Sequence, residues 1–554
     1  MAPVTLPEHS DELPLRAALG SAIDPQVQSR SSCGGKWHFR IGLVLGLTAI
    51  AVVAVALRVY GLGHLPGVNG DEAWYGNLAL DCWNGKPRLL TPSRIPVNPF
   101  FAVPSFLLHG VFPPSVALLR VPALLSGLAA LLLNAVLMRR FFGWTEAVIS
   151  TTLLAVLPIM IAYSRFGWDT AQMPLATVLV LISAVHALRS PSDRNMRLAW
   201  LALFAGLIVH PTCLFLMPLT LFATLETLQK DLPSRLRWLL TVLPSRSTMV
   251  CAGVLVLLLT MLRFDWRHGR LIPSESTANI AMFLQLFADL FSGRTVVEYL
   301  SGAPVSASIW NLWRIVVLLL TVVGLHQLLR SKDQEDQRMG NGLILGLLAF
   351  FVAAGNRGLE PGYERYGMIL IVPVVYAWSK WLATLMRHAQ PTFTVMTLLV
   401  PALLLMQSYF TGVDYLQTTG GTASLPARTG HKDTRAQAAE LLKQHIGRRP
   451  TVVLTSNFHC CQPLRYLLAG QPQIQVQQIR EQDELQSTLQ DDRDSDLWIV
   501  DFTQDEQGRA TSLLTAVQTL PHEAFSVCDY AGNEVLTILH LTPAMSLTQT
   551  NPRD

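Results

Sequence analysis

Runs of apolar residues recur along the first three-quarters of the chain, separated by short polar stretches. They predict membrane spans at about 41–60, 116–138, 145–162, 172–188, 198–210, 212–228, 247–263, 308–329, 341–355, 366–385 and 392–411. A crossing helix wants ~20 apolar residues, because each backbone group must find its partner inside the helix once water is excluded. The first run is longer than a signal-peptide core and no small-residue cleavage site follows it, which predicts a retained span. The segment PVNPFFAVPSFLLHGV at 97–112 is apolar but short and broken by prolines, so a helix lying along the membrane surface is expected. Residues 198–228 must hold two short crossings, with a turn at VHPTC where Pro211 breaks the helix.

The pattern changes beyond residue 411. Strand-like runs TVVLT (451–455), QIQVQQI (473–479), DLWIV (496–500) and VLTILHL (535–541) alternate with helical stretches, which predicts a small soluble α/β domain over 412–554. Residues 1–36 are polar and proline-bearing and read as a disordered tail. The expected class is a polytopic α-helical membrane protein of about eleven helices with a C-terminal α/β domain.

Composition agrees, with 51% hydrophobic and only 14% charged residues, and nothing in the chain alternates like an outer-membrane barrel. A net charge of +4 over 554 residues gives no case for nucleic acid. The seven cysteines form no CxxC pair and no zinc spacing. A bond from Cys460 or Cys461 to Cys528 stays open if that domain lies outside the membrane.

Lys and Arg concentrate in cytoplasmic loops. With the N-terminus inside, the pairs and clusters at Arg139 and Arg140, Arg189 to Arg197, Lys230 to Arg237, Arg330 to Arg338 and Arg387 all fall on one side. The opposite side then receives Asp71, Glu72, Lys86, Arg88 and Arg94, followed by Arg165, Asp169, His210, Glu364 and Arg365. Carboxylates beside cations at span mouths suit an anionic ligand, with the acids free for base chemistry and the cations for phosphate. Simpler readings exist for single residues. Asp71 in NGDEAWYGNLALDCWNGKP precedes an expected helix at 72–84 and could be its N-cap, Arg120 could snorkel to headgroups, and Trp74 and Trp83 suit interfacial anchors.

Taken together, DEAWYGNLALDCWNGKP, LLRVPALLSGLAALLLNAVLMRRFFG, LPIMIAYSRFGWDTAQMP, GLIVHPTCLFLMP and ERYGMILIVPVV resemble, in order and spacing, segments of the GT-C glycosyltransferases. The pattern is most similar to the protein O-mannosyltransferase-like enzymes and the lipid A aminoarabinose transferases, and it covers roughly residues 41–385. The resemblance implies an enzyme that moves a sugar from a polyprenyl-phosphate carrier to a hydroxyl acceptor on protein, lipid or glycan, on the outer side of the membrane; with no endoplasmic-reticulum retention signal in the sequence, a bacterial plasma membrane is expected, with the C-terminal domain in the periplasm. It implies Asp71 as general base, with Glu72 and Asp169 orienting the acceptor or tuning that base. Arg94, Arg165, Arg365, Lys86 and Arg120 would hold the donor phosphate, and Tyr366, His210 and Trp74 would line the site. No cofactor is required, although the carboxylates could hold a divalent metal. One departure stands out: Asn98 occupies the place where many members carry a His or Lys before the second span. A transporter or flippase of lipid-linked sugars, or a non-catalytic membrane protein with a partner-binding outer domain, are the alternative readings.

Overall fold

A computed structural model describes residues 48–92, 95–231, 264–265, 270–271, 279–292, 294, 308–360, 363–387, 433–491, 495–504, 509–529 and 532–541. The chain divides into a first unit, Met1–Val52, of which the described residues 48–52 are helical, and a second, Val53–Asp554, which holds all the other described residues.

The helices begin with α1 (Thr48–Val59), α2 (Gly70–Trp83), α3 (Pro99–Val111), α4 (Val116–Phe142), α5 (Trp144–Val156) and α6 (Pro158–Tyr163). They continue with α7 (Met173–Arg189), α8 (Asp193–Val209) and α9 (Met217–Asp231). After a two-stranded ribbon of β1 (Phe264–Asp265) and β2 (Arg270–Leu271) come α10 (Ile280–Ser292), α11 (Ser308–Leu329), α12 (Gln334–Ala354) and α13 (Met368–Arg387). Among the described residues, four stretches are long and apolar enough to cross a membrane: Val116–Phe142, Asp169–Arg189, Gln334–Ala354 and Glu364–Arg387.

Helix α4 shows how the sequence sets its own limits. Ser115 caps it by accepting from the Leu118 N–H at 3.2 Å, Arg139 and Arg140 sit in the last turn where carbonyls are unpaired, and Gly143 ends it at φ 102°. Nine of the expected spans coincide with described helices, while 247–263 and 392–411 lie outside the described residues, so the count of eleven is not established. The span expected at 145–162 is two helices, because Pro158 opens α6 and cannot donate to α5. In the 198–228 stretch, α8 stops at Val209 and a 3-10 turn, Pro211–Leu216, leads into α9. The expected surface helix is present as α3, capped by Asn98.

Helix α10 falls between the spans expected at 247–263 and 308–329. Its buried residues Phe283, Leu286, Phe287, Leu290 and Phe291 repeat at three and four positions, the signature of one covered helical face.

The C-terminal domain holds α14 (Thr434–His445), β3 (Thr451–Thr455), α15 (Phe458–Leu467), β4 (Ile474–Gln478), α16 (Gln482–Asp491), β5 (Asp496–Phe502), α17 (Ser512–Val517), β6 (His522–Cys528) and β7 (Glu534–Leu541). Its sheet runs β4-β3-β5-β7-β6, with β3 parallel to β4 and β5 and β7 antiparallel to β5 and β6. Apolar cores cover both faces, one around Val453, Leu464 and Trp498 and the other around Leu454, Ile499 and Leu539. Strand β6 escaped the sequence reading because His522 to Ala524 are exposed and carry no inward pattern. The disulfide left open is not formed: Cys460, Cys461 and Cys528 are free thiols.

Helix α15 joins this sheet region to the segment that carries α2. It lies against α2 so closely that both glycines of α2 are required. A Cβ on Gly70 would come within 2.9 Å of the His459 Cα, and one on Gly76 within 2.5 Å of the Tyr466 ring. Polar contacts fasten the pair. Asn77 Nδ2 donates to Gln462 O at 3.0 Å, Arg465 bonds Asp81 at 2.5 Å, and the Tyr466 hydroxyl bonds His109 Nε2 at 2.9 Å and accepts from the Ser115 N–H at 3.0 Å.

Candidate active site

The start of α2 resolves the two adjacent carboxylates into different roles. Asn69 is the N-cap: its side chain accepts from the Asp71 N–H at 2.7 Å, and Glu72 reaches back to accept from the Asn69 N–H at 2.8 Å. This is a capping box, two orphan helix donors satisfied reciprocally. The helix therefore begins before Asp71, and the N-cap role that the sequence left open for Asp71 belongs to Asn69. The Asp71 carboxylate makes no hydrogen bond or ion pair among the described residues and lines a cavity.

Glu72 faces the other way. It is fully buried and ion-paired to the equally buried Arg120, with Arg120 Nη2 2.8 Å and Nε 3.1 Å from its two oxygens. The Gly167 N–H donates to Glu72 Oε2 at 2.8 Å. Arg120 also donates to the carbonyls of Leu62, Leu65, Pro66 and Gly67. A carboxylate and a guanidinium so fully engaged hold four chain segments together. Neither lines the cavity.

The cavity has a volume of about 1080 Å³. Asp71, Trp74 and Tyr75 enter from α2, Trp168, Asp169 and Thr170 from the turn before α7, and His210 from the end of α8. Arg365 and Tyr366 come from the 3-10 turn Glu364–Gly367, and Phe458 from α15. Of the residues singled out in the sequence, the structure thus brings together Asp71, Asp169, Arg365, Trp74, Tyr366 and His210. It does not bring Arg165, whose guanidinium is buried and donates to the carbonyls of Leu57 and Leu65. Lys86 is exposed beyond the end of α2 and lies outside the lining. Arg94 lies outside the described residues. Asn98, at the place of the family's basic residue, is buried and donates to Gln172 Oε1 at 3.0 Å.

Arg365 makes no ion pair among the described residues. Aromatic faces surround it instead, with its guanidinium carbon 5.1 Å from the Tyr366 ring centre, 5.5 Å from Trp168 and 6.0 Å from Tyr363. Such faces hold a guanidinium in place and leave its fork of donors available. Two polar groups on the wall, Trp168 Nε1 and Thr170 Oγ1, are buried with no hydrogen-bond partner among the described residues, while the Tyr75 hydroxyl lies within hydrogen-bonding reach of Asp169. Buried polar groups are nearly always paired, so two such groups on one wall suit a ligand with hydrogen-bonding atoms. The Tyr75 hydroxyl faces Asp169 and Asp71. Burial, then the charge of Asp169, holds it well above the usual phenol range, so it stays a donor.

Tyr75, Trp168, Thr170 and Phe458 were not foreseen. Tyr75 was legible in principle, since it lies four residues after Asp71 and so on the same helical face. Nothing in the sequence points to Phe458. Among the described residues no three of His, Cys, Asp and Glu gather closely enough to hold a metal.

His210 caps the turn after α8, its Nδ1 accepting from the Thr212 N–H at 3.3 Å. Burial, and next the positive charge of Arg365, pushes its pKa down to about 4 from 6.5. The unfolded chain therefore binds more protons between those values, and His210 removes stability as pH falls through that window. The wild type should lose about 3 kcal/mol through this residue between pH 7 and pH 4. His210→Asn keeps the cap and does not titrate, so the gap between variant and wild type in thermal unfolding should shift with pH. Parallel curves from pH 7 to 4 would refute it.

No family model matches this chain, and no curated protein does. Solved structures do. The apo structure of ArnT from Cupriavidus metallidurans is 15% identical, covering 90% of this chain and 98% of that one, with a TM-score of 0.51. The same ArnT bound to undecaprenyl phosphate is 14% identical over 89% of this chain and 97% of that one, with a TM-score of 0.49. The Archaeoglobus fulgidus oligosaccharyltransferase complexed with Zn and sulfate is 13% identical over 82% of this chain and 68% of that one, with a TM-score of 0.49. At such identity the likeness to apo ArnT is one of fold, the GT-C-like membrane fold expected from the sequence.

Proposed function

We propose that this protein is an inverting glycosyltransferase that moves a sugar from a polyprenyl-phosphate carrier to a hydroxyl acceptor at the outer face of the plasma membrane. The observation that carries the reading is the convergence of Asp71, Asp169 and Arg365 on one cavity whose wall also holds two polar groups, Trp168 Nε1 and Thr170 Oγ1, without a partner among the described residues. Those groups suit the hydroxyls of a sugar. Arg365 suits the carrier phosphate, because a guanidinium fork matches phosphate oxygens. The apolar stretch Phe204, Leu207, Ile208 and Val209, on the same cavity, suits the lipid. ArnT of Cupriavidus metallidurans, similar in fold, binds undecaprenyl phosphate, which makes that lipid the natural probe.

In the proposed reaction the acceptor oxygen attacks the anomeric carbon from the face opposite the phosphate. A C–O bond forms there and the anomeric C–O bond to phosphate breaks, its electron pair leaving on the lipid phosphate. Asp71 takes the hydroxyl proton, and Arg365 stabilises the departing charge. A lipid phosphate departs without a general acid, so the reading asks for no cofactor and no metal. One displacement inverts the anomeric centre.

Arg365→Ala should weaken binding of undecaprenyl phosphate by the full-length protein in lipid nanodiscs by roughly ten- to a hundredfold, since a charge-assisted contact is worth about 1.5–3 kcal/mol. Titration by intrinsic tryptophan fluorescence measures it, and an unchanged Kd would remove Arg365 from the phosphate site.

A further inference from the structure

The cavity wall carries polar groups at Tyr75, Trp168, Asp169 and Thr170, an apolar stretch from α8, and Arg365 among the rings of Trp168 and Tyr366. Phe458 is the C-terminal domain's contribution to the lining. It opens α15, one residue before His459, and the His459 Cα and ring abut Gly70, the residue before Asp71. The start of α15 therefore lies beside the start of α2, and the Phe458 ring shares the cavity with Asp71. The bonds between Asn77 and Gln462 and between Asp81 and Arg465 keep α15 in fixed register with α2, and so hold Phe458 relative to the base.

We propose that Phe458 is an acceptor-side specificity residue whose ring face receives a sugar ring of the acceptor, so that the attacking hydroxyl belongs to a saccharide. This rests on the transferase reading of the cavity. Phe458 has no polar atom, so it recognises by shape and by its electron-rich face. That face attracts C–H edges carrying partial positive charge, as the broad side of a pyranose does. A serine or threonine side chain offers no such face. In this arrangement the soluble domain supplies one wall of the transfer site.

The test uses the full-length protein in a deletion strain, read by the glycan lost on deletion, alongside the Kd for undecaprenyl phosphate. Phe458→Leu keeps apolar bulk and removes the ring face, and Phe458→Tyr keeps the ring. Phe458→Leu should restore the glycan to about a tenth of the wild-type level, the size of one aromatic contact. Phe458→Tyr should restore it within about twofold, and both should bind undecaprenyl phosphate as the wild type does. Phe458→Met serves equally should the leucine variant fail to accumulate. Full restoration by Phe458→Leu overturns the proposal. So does a tenfold loss of lipid-phosphate affinity, which would put the ring against the carrier, or a lost product whose sugar is attached directly to serine or threonine. Asp71→Asn, run in parallel, separates the cases: full transfer by that variant sinks the base assignment, whereas its inactivity beside a fully active Phe458→Leu sinks only this inference.

Discussion

Asp71→Asn should lower sugar transfer by roughly 10²–10⁴-fold, the usual contribution of a positioned general base. The change is isosteric and removes one charge. It breaks no bond among the described residues, because the Asp71 carboxylate has no hydrogen-bond or ion-pair partner there and the helix cap belongs to Asn69. Expression, thermal unfolding and undecaprenyl phosphate binding should therefore stay near wild type while turnover collapses. That separation matters, since a variant that merely misfolds would lose all four together. Asp71→Glu carries the base one methylene further along the same cavity and should retain a part of the activity. Transfer by Asp71→Asn within a few-fold of wild type would exclude the base role, and with it the assignment of chemistry to this cavity.

The second large effect lies one residue further on and concerns stability. Removing one partner of the buried Glu72–Arg120 pair strands the other charge without water or counterion, at a cost of about 3–5 kcal/mol. Arg120→Met should therefore abolish accumulation of folded protein or lower its midpoint of thermal unfolding steeply. Here the loss exceeds that of a simple ion pair, because the carbonyls of Leu62, Leu65, Pro66 and Gly67 lose their donor too. Glu72→Gln combined with Arg120→Met should recover part of the loss, since no bare charge is left, and the two effects should be far from additive. Recovery stays partial because the carbonyls of Leu62, Pro66 and Gly67 lose their Arg120 donor, whereas that of Leu65 keeps Arg165. If Arg120→Met unfolds within about 1 kcal/mol of wild type, the guanidinium is not the tie described, and a surface role for Arg120 returns.

These two variants show what a charged residue's position in the chain can and cannot say. Asp71 and Glu72 are adjacent, both acidic and both in the first turn of α2, yet successive helix positions point about 100° apart. One faces a cavity and the other a buried guanidinium. The same applies to the arginines. Arg120, Arg165 and Arg365 share an expected side of the membrane, but carbonyl oxygens and a carboxylate take up the first two, while Arg365 stands among aromatic rings.

Much was legible without coordinates, because it depends on local pattern. Apolar run lengths announced the helices, Pro158 and Pro211 marked breaks, and four of the five strands of the C-terminal sheet showed in runs of strand-forming residues. Helix α10 and strand β6 escaped, one too short for a span and the other too exposed to alternate. The acids and cations expected together from the loop pattern include Asp71, Asp169 and Arg365, which line the cavity.

What the linear chain determined, then, was the set of elements and the kind of chemistry on offer, since burial of a backbone in lipid and the periodicity of a helix are properties of neighbouring residues. Tertiary structure alone decided which charges are available. Whether a carboxylate is a base or a tie depends on what packs against it, and for Asp71 that includes a cavity wall completed by Phe458 from a domain far along the chain.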